Sequence, residues 1–460
     1  MNRIFKRKLY DRLLQWKTQR NGKTAILIEG ARRVGKSTLV CEFAEKEYSS
    51  YILVDFNRAS KQVTELFDDL MNLDFIFMQL QTIYNVVLEK RRSVIVFDEV
   101  QKCPKARQAI KYLVADGRYD YIETGSLISI KRNTKDITIP SEEERVTLNP
   151  MDYEEFRWAL GDNVSISLLR QYFEMKHPLL QAHQTKIRDL RLYMLVGGMP
   201  QAVNEYLETN NLSRVDLVKR DIIRLYLDDF QKLDSTGRIE RMFLDIPAQL
   251  GKNSNRYKPY SAIGDTDNEK LISMLNNLED SKTVVFSYHS NEPNIGLSLH
   301  RDPSKYKIFC SDTGLFITLA FWDKDFTENV IYQKLLSDKL STNLGYVYEN
   351  LVAQMLTASG NKLFYYTWKK DDTHSYEIDF LLSRGSKLYP VEVKSSGYKS
   401  HTSLDMFCEK YSHVVGQRYL VYTKDLQKDG NTICLPVYMT PFIYKTIPPV
   451  QKVLLCGRQF

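Results

Sequence analysis

Gly30-Ala31-Arg32-Arg33-Val34-Gly35-Lys36-Ser37 fits the pattern G-x-x-x-x-G-K-[ST], the signature of a phosphate-binding loop. Residues 24–29 before it form a short apolar run bounded by Gly22 and Gly30, and read as a buried parallel strand. Ser37 to Glu45 after it reads as a helix. A strand, a glycine loop and a helix N-terminus together make an anion site, because loop N–H groups point inward and the helix dipole favours negative charge there. Gly30 and Gly35 let the backbone turn and approach a ligand closely. Lys36 supplies the counter-charge for phosphate, and Ser37 offers a hydroxyl to Mg²⁺. The bare pattern arises by chance in roughly one chain of this length in a hundred, so the flanking strand and helix decide the reading. The expected cofactor contacts are Gly30, Ala31, Arg32, Arg33, Val34, Gly35, Lys36, Ser37 and Thr38.

A second motif supports a nucleoside triphosphate. Residues 93–97 are mostly apolar and end in Asp98-Glu99, so two acids sit at the carboxyl tip of another buried strand. Ligands of open α/β sheets bind at that end. Asp98 suits the outer shell of Mg²⁺, and Glu99 suits the base that polarises an attacking water. The two motifs are expected on adjacent strand ends. A third strand, 119–124, ends at Thr124-Gly125-Ser126, where Thr124 or Ser126 either senses the γ-phosphate or caps a turn.

With 460 residues the chain exceeds one compact core, so two to four domains are expected. Hydrophobic content of 43% with 26% charged residues is ordinary for a globular protein. Nowhere do 18 apolar residues run together, which argues against a membrane span. The basic start lacks the apolar core of a secretory signal. Six scattered cysteines (41, 103, 310, 408, 434 and 456) read as reduced thiols, and the expected location is cytoplasmic. The net charge of +7 permits nucleic-acid contact without requiring it. Residues 1–20 hold seven Lys/Arg against one Asp, and Leu9, Leu13, Leu14 and Trp16 suggest an amphipathic helix on the nucleotide domain.

The nucleotide unit is expected over 1–160, closing where a strand from Arg145 meets Pro150 and a helix starts near Asp152. Residues 161–335 are expected as a helical lid and winged-helix-like region, of which 161–210 read as helical, broken at Gly197-Gly198-Met199-Pro200. Helices at Arg238–Leu250 and Asp267–Leu278, followed by strands at 282–288 and 305–310, suggest a winged helix-turn-helix. Asp280 and the acids at 265–269 oppose strong phosphate binding by the second helix, so packing against protein is an equal reading.

The region 336–460 carries a second chemistry. A helix from Gly345 holds Glu349, strands follow at 363–368 and 377–382, and Val391-Glu392-Val393-Lys394 lies on a strand after the turn Arg384-Gly385-Ser386. Period two puts Glu392 and Lys394 on one face. Asp379, Glu392 and Lys394 make the D…E-x-K pattern of PD-(D/E)xK nucleases, in which carboxylates bind Mg²⁺ and lysine stabilises charge on phosphate. Glu349 supplies a third carboxylate. The bland alternative is a surface strand with a Glu392–Lys394 salt bridge.

Ile28 to Thr38, Phe97-Asp98-Glu99-Val100-Gln101, Glu123-Thr124-Gly125-Ser126, Gly197 to Pro200, Ser311-Asp312-Thr313-Gly314-Leu315, Gly345 to Asn350 and Val391 to Ser395 together resemble the bacterial and archaeal AAA-family ATPases that carry a DUF4143 domain. The resemblance spans nearly the whole chain in order. It implies an α/β fold class with three parts: a P-loop AAA-type parallel-sheet domain, a helical and winged-helix middle region, and a C-terminal α/β restriction-endonuclease-like domain. It also implies ATP with Mg²⁺ as cofactors, and DNA or RNA as a partner, and it fixes no oligomeric state. Many relatives place Gly-Arg where this chain has Glu143-Glu144-Arg145, so Arg32 and Arg33 are alternatives to Arg145 as the phosphate-contacting arginine. Two functions compete: an ATPase coupled to a metal-dependent nucleic-acid enzyme, and an ATP-controlled switch that binds a partner without cleaving.

Overall fold

The computed structural model describes residues 3–125, 140–252, 255–325, 327–337, 345–372, 374–395 and 401–443. Strands β1 (Ala25–Glu29), β2 (Ser50–Asp55), β3 (Ser93–Asp98), β4 (Asp120–Gly125) and β5 (Glu143–Thr147) form a parallel sheet ordered β2-β3-β4-β1-β5. β1 and β3 are buried throughout and apolar in their interiors because both faces of the sheet are covered. Ile26 and Ile28 meet Val94, Val96 and Ile122 in one core, while Ala25 and Leu27 meet Ile95, Phe97 and Tyr121 in the other. The first core takes helices Lys8–Arg20, through Leu13 and Trp16, and Lys36–Glu47, through Leu39, Val40, Phe43 and Ala44. Helices Leu73–Tyr84 and Pro104–Asp116 cover the second. Each such buried aliphatic or aromatic side chain contributes about 1.5–3 kcal/mol.

Beyond β5, a helix at Tyr153–Ala159 opens on a capping box between Asp152 and Glu155. Helices Ala182–Val196 and Pro200–Thr209 flank the break at Gly197–Met199, and the long helix Leu212–Leu233 follows. The helix expected over Arg238–Leu250 is two, Arg238–Leu244 and Ile246–Gly251. Pro247 explains the division, since its ring collides with the carbonyl of Phe243 in a continuous helix. Helices Pro259–Ile263 and Asn268–Asp280 lead into β6 (Val284–Ser290) and β7 (Arg301–Cys310), an antiparallel pair.

That pair is not a free-standing wing. β8 (Leu363–Lys369) adds to β6 in parallel and β9 (Ser375–Ile378) to β8, giving a sheet ordered β7-β6-β8-β9. One sheet therefore draws strands from both sides of residue 336. β10 (Phe380–Arg384), β11 (Lys387–Val393), β12 (Arg418–Tyr422), β13 (Gln427–Asp429) and β14 (Thr432–Pro436) form a third sheet ordered β10-β11-β12-β14-β13. Arg384 pairs with Lys387, so the turn between β10 and β11 holds two residues, Gly385 and Ser386, rather than three. Among the described residues no helix is long and apolar enough to cross a membrane.

Buried polar contacts tie these parts together. Asp312 accepts from the Gly198 amide (2.5 Å), and Gly198 O accepts from Met151 N (2.7 Å) just after β5. A Cβ on Gly198 would lie 2.0 Å from Met151 O, so only glycine fits there. Tyr193 donates to Met151 O (2.8 Å) and receives Gln354 Nε2 (2.8 Å). Gln354 Oε1 accepts from Thr313 N (2.8 Å), and Asn350 brackets Cys310 through both backbone groups (2.8 and 3.2 Å). The chain of bonds runs from the parallel sheet to helix Gly345–Ala358, which also carries Glu349.

Candidate functional site

The loop Gly30–Gly35 leaves β1 and feeds helix Lys36–Glu47. Gly35 takes φ 94°, a left-handed conformation that a side chain would strain. No side chain caps this helix, so its first amides face the loop. Ala31 and Val34 are buried, while Arg32, Arg33 and Thr38 are exposed. Lys36 is buried, with Nζ on Gly30 O and Ala31 O at 3.0 Å each. Burial lowers its pKa, against the opposing pull of Glu99 and Asp98.

The strand order corrects one expectation. β4 lies between β1 and β3, so the two motifs do not occupy adjacent strands. Thr124 at the tip of β4 bridges the gap. Ser37 Oγ donates to Asp98 Oδ1 at 2.9 Å, and Thr124 Oγ1 donates to that same oxygen. Thr124 Oγ1 in turn accepts from the Glu99 amide at 3.3 Å. Glu99 takes φ 56°, costing roughly 1 kcal/mol for a residue with a Cβ, and its carboxylate accepts from Gln101 Nε2. Ser126 lies outside the described residues. Arg145 pairs with Glu143 (2.9 Å) and Glu29 (3.9 Å) on the sheet.

Several residues that hold the loop carried no signal in the sequence. Arg7 donates to Val34 O (2.8 Å) and Asn149 O (2.6 Å) and pairs with Glu155 (3.2 Å). Tyr226 donates to Arg32 O (2.9 Å), and Asp229 pairs with Arg32 (3.1 Å), both from helix Leu212–Leu233. Only folding brings these distant positions together.

A second cluster gathers at the C-terminal sheets. Carboxylate oxygens of Glu349, Glu377 and Asp379 lie within 4.8 Å of one another. Lys307, from β7, sits among them, with its ammonium 2.8 Å from Glu349 and also paired with Glu377. Asp379 Oδ2 accepts from Val393 N (2.7 Å). Glu392 pairs instead with Lys394 at 2.7 Å. The expected set of Glu349, Asp379 and Glu392 is thus revised: Glu377, two residues before Asp379, joins the group, and Glu392 turns to its neighbour on the same strand face. Lys307 rather than Lys394 bridges the carboxylates. The Glu-x-Asp spacing of residues 377–379 was the one legible sign of Glu377, and nothing marked Lys307.

Burial and the Glu349, Glu377 and Glu392 charges raise the Asp379 pKa well above the usual carboxyl range, with Lys307 opposing. Burial, with Glu349, also raises Glu377. For Lys307, burial is outweighed by Glu349, Glu377 and Asp379, which hold it charged. Burial likewise opposes the Lys394 charge, and Glu392 outweighs it. Among the described residues, the cations beside Glu349, Glu377, Asp379 and Glu392 are Lys307 and Lys394. The acids outnumber the cations, and the all-oxygen donor set of Glu349, Glu377 and Asp379 suits one hard divalent cation.

Residues 22–157 match the family model of an AAA domain, 187–325 that of a domain of unknown function, DUF8612, and 344–439 that of another, DUF4143. The chain has no match among the curated proteins. Among solved structures it is similar to the Walker-type ATPase PABY2304 of Pyrococcus abyssi, with 18% identity, 69% of this chain and 96% of that one covered, and a TM-score of 0.41. AMPPCP-bound DnaA from Aquifex aeolicus shares 10% identity over 61% of this chain and 90% of its own, with a TM-score of 0.28. Cdc6p from Pyrobaculum aerophilum shares 10% over 72% and 95%, with a TM-score of 0.24. Likenesses this distant carry no argument about function. Residues 22–157 thus match an AAA domain and carry a parallel sheet like that of P-loop ATPases, and residues 344–439 match DUF4143.

Proposed function

We propose that the chain binds and hydrolyses ATP with Mg²⁺. The observation that carries this reading is the meeting of Ser37 and Asp98 at 2.9 Å beside the loop that holds Lys36. In this reading the loop amides and Lys36 bind the β- and γ-phosphates, and Ser37 with Asp98 holds the cation. The cation screens phosphate charge. Glu99 accepts a proton from the attacking water, and Thr124 positions the Glu99 backbone. The preference for ATP over GTP rests on the family resemblance. Glu99→Gln is expected to keep nucleotide binding and to lose turnover by roughly 10²-fold or more, while Lys36→Ala loses binding. Undiminished hydrolysis in Glu99→Gln removes Glu99 from the role of base.

The C-terminal region is proposed as a nuclease-like unit that interacts with DNA or RNA. Glu349, Glu377 and Asp379, with Glu392 near them, would hold a divalent cation, and Lys307 and Lys394 would steady charge on a phosphodiester. A second reading is an ATP-controlled switch or adaptor that binds without cleaving. Lys307 favours it, because its ammonium already neutralises part of the carboxylate cluster. Cleavage assays with Mg²⁺ or Mn²⁺ on single- and double-stranded DNA and RNA, with and without ATP, separate the two. In both readings the helices before β6 and the β6–β7 pair act as a winged-helix-like module. Among the described residues five thiols are free, four of them buried, which fits a reducing compartment such as the cytoplasm.

A further inference from the structure

One face of the β7-β6-β8-β9 sheet is polar where a packed sheet is normally apolar. Register places Ser287 beside Lys307, His289 beside Tyr365, and Thr367 beside Glu377. The opposite face is apolar, with Phe286, Ile308, Phe364 and Tyr366 buried in the cores. On the polar face, Ser287 Oγ and Tyr365 Oη are buried and find no hydrogen-bond partner among the described residues. An orphaned buried hydroxyl costs about 1–3 kcal/mol, so two on one face call for an explanation.

Beside them opens a cavity of about 440 Å³ lined by Asn255, Arg256, Lys258, Lys305, Tyr365 and Thr367. Three of these six are cationic and none is acidic. Lys305 has one acidic neighbour, Asp302, at 3.5 Å. His289 is bonded to Thr367 Oγ1 at 3.1 Å, which holds that side of the lining in place. Burial raises the Tyr365 pKa, so its hydroxyl keeps its proton at neutral pH and is a donor. Converging cations and an unused donor around an open space are the chemistry of a phosphate site.

We propose that this cavity binds a phosphate of a nucleic-acid strand, with Arg256, Lys258 and Lys305 supplying the charge and Tyr365 a hydrogen bond. The strand, rather than a lone phosphate, follows from the sheet. Thr367 in the lining pairs across strands with Glu377 of the carboxylate cluster, so a polymer seated in the cavity runs on toward those acids. Only that direction rests on the nuclease-like reading; the phosphate site itself stands on the cavity.

The test measures binding of the full chain to a short labelled single-stranded oligonucleotide by fluorescence anisotropy, with inorganic phosphate and a 5′-mononucleotide as competitors. Lys258→Glu with Lys305→Glu is expected to weaken binding by about 10-fold or more at low salt and to reduce the slope of log K against log salt by about two. Tyr365→Phe is expected to weaken it by roughly 3–10-fold with an unchanged melting temperature, because the hydroxyl removed has no partner among the described residues. ATP turnover, measured alongside, reports that each variant is folded. Oligonucleotide binding that ignores all three substitutions overturns the site, as does the absence of binding by every probe. Binding of phosphate or mononucleotide alone, lost in the same variants, upholds the phosphate site and overturns the strand. No arm measures cleavage, so an inactive carboxylate cluster leaves the result intact.

Discussion

Lys307→Met is the perturbation that most sharply tests the electrostatics of the carboxylate cluster. Lys307 is 6% exposed, and its ammonium pairs with Glu349 and Glu377, with Asp379 beside them. Methionine keeps much of the volume and removes the charge, leaving three half-buried carboxylates around a buried, uncharged side chain. Breaking a buried pair in this way costs about 3–5 kcal/mol. For the unit that contains the cluster, this corresponds to a drop of roughly 6–20 °C in melting temperature. The pH dependence has a definite sign. Glu377 and Asp379 already have raised pKa values in the folded protein, so the native state holds protons that the unfolded chain releases. Stability contributed by such groups falls as pH rises from the unfolded carboxyl pKa through the folded one. Removing Lys307 raises the folded values further, so the deficit of the variant should be small near pH 5 and widen toward pH 8. Millimolar Mn²⁺ should restore much of the loss, because a divalent cation replaces the missing positive charge. Differential scanning calorimetry or fluorimetry across pH, with and without Mn²⁺, reads all three effects. A deficit that is constant with pH, or below about 1 kcal/mol, would refute the charge argument and make Lys307 a packing residue.

Two further substitutions test the junction between the AAA-type domain and the helix Gly345–Ala358. Gly198→Ala places a methyl 2.0 Å from Met151 O and threatens the Met151 N–Gly198 O bond, for a loss of about 2–4 kcal/mol by thermal melting. Gly251→Ala, with nothing within 4 Å of its Cβ, is the matched control and should be near neutral. Asn350→Leu strands Cys310 N and Cys310 O in the core and should cost about 2–4 kcal/mol, with faster hydrogen exchange in helix Gly345–Ala358.

Much of the nucleotide site was legible along the chain because its parts are local. Gly30 to Ser37 lie in one turn between a strand and a helix, and Asp98-Glu99 close a single apolar run. The motifs at 197–200 and 311–315 were legible as motifs, but their purpose was not. Asp312 meeting Gly198 and Gln354 meeting Tyr193 are contacts between segments more than a hundred residues apart, and Gln354 meets Thr313 from 41 residues away. Pro247 was visible in the sequence, yet Arg238–Leu250 reads there as one helix, and the fold divides it at Asp245.

What the sequence determined by itself was the chemistry that needs consecutive residues: the phosphate loop, the paired acids, and the alternation that puts Glu392 and Lys394 on one face. Tertiary structure alone decided what depends on strand order and on charges brought from afar. β4 inserts between β1 and β3, so Thr124 rather than direct adjacency joins Ser37 and Asp98. β8 docks on β6, so Lys307 of the middle region enters a cluster built by Glu349, Glu377 and Asp379. The physical reason is that backbone periodicity is written into neighbours in the chain. Desolvation and Coulomb interactions act between neighbours in space, which a sequence does not name.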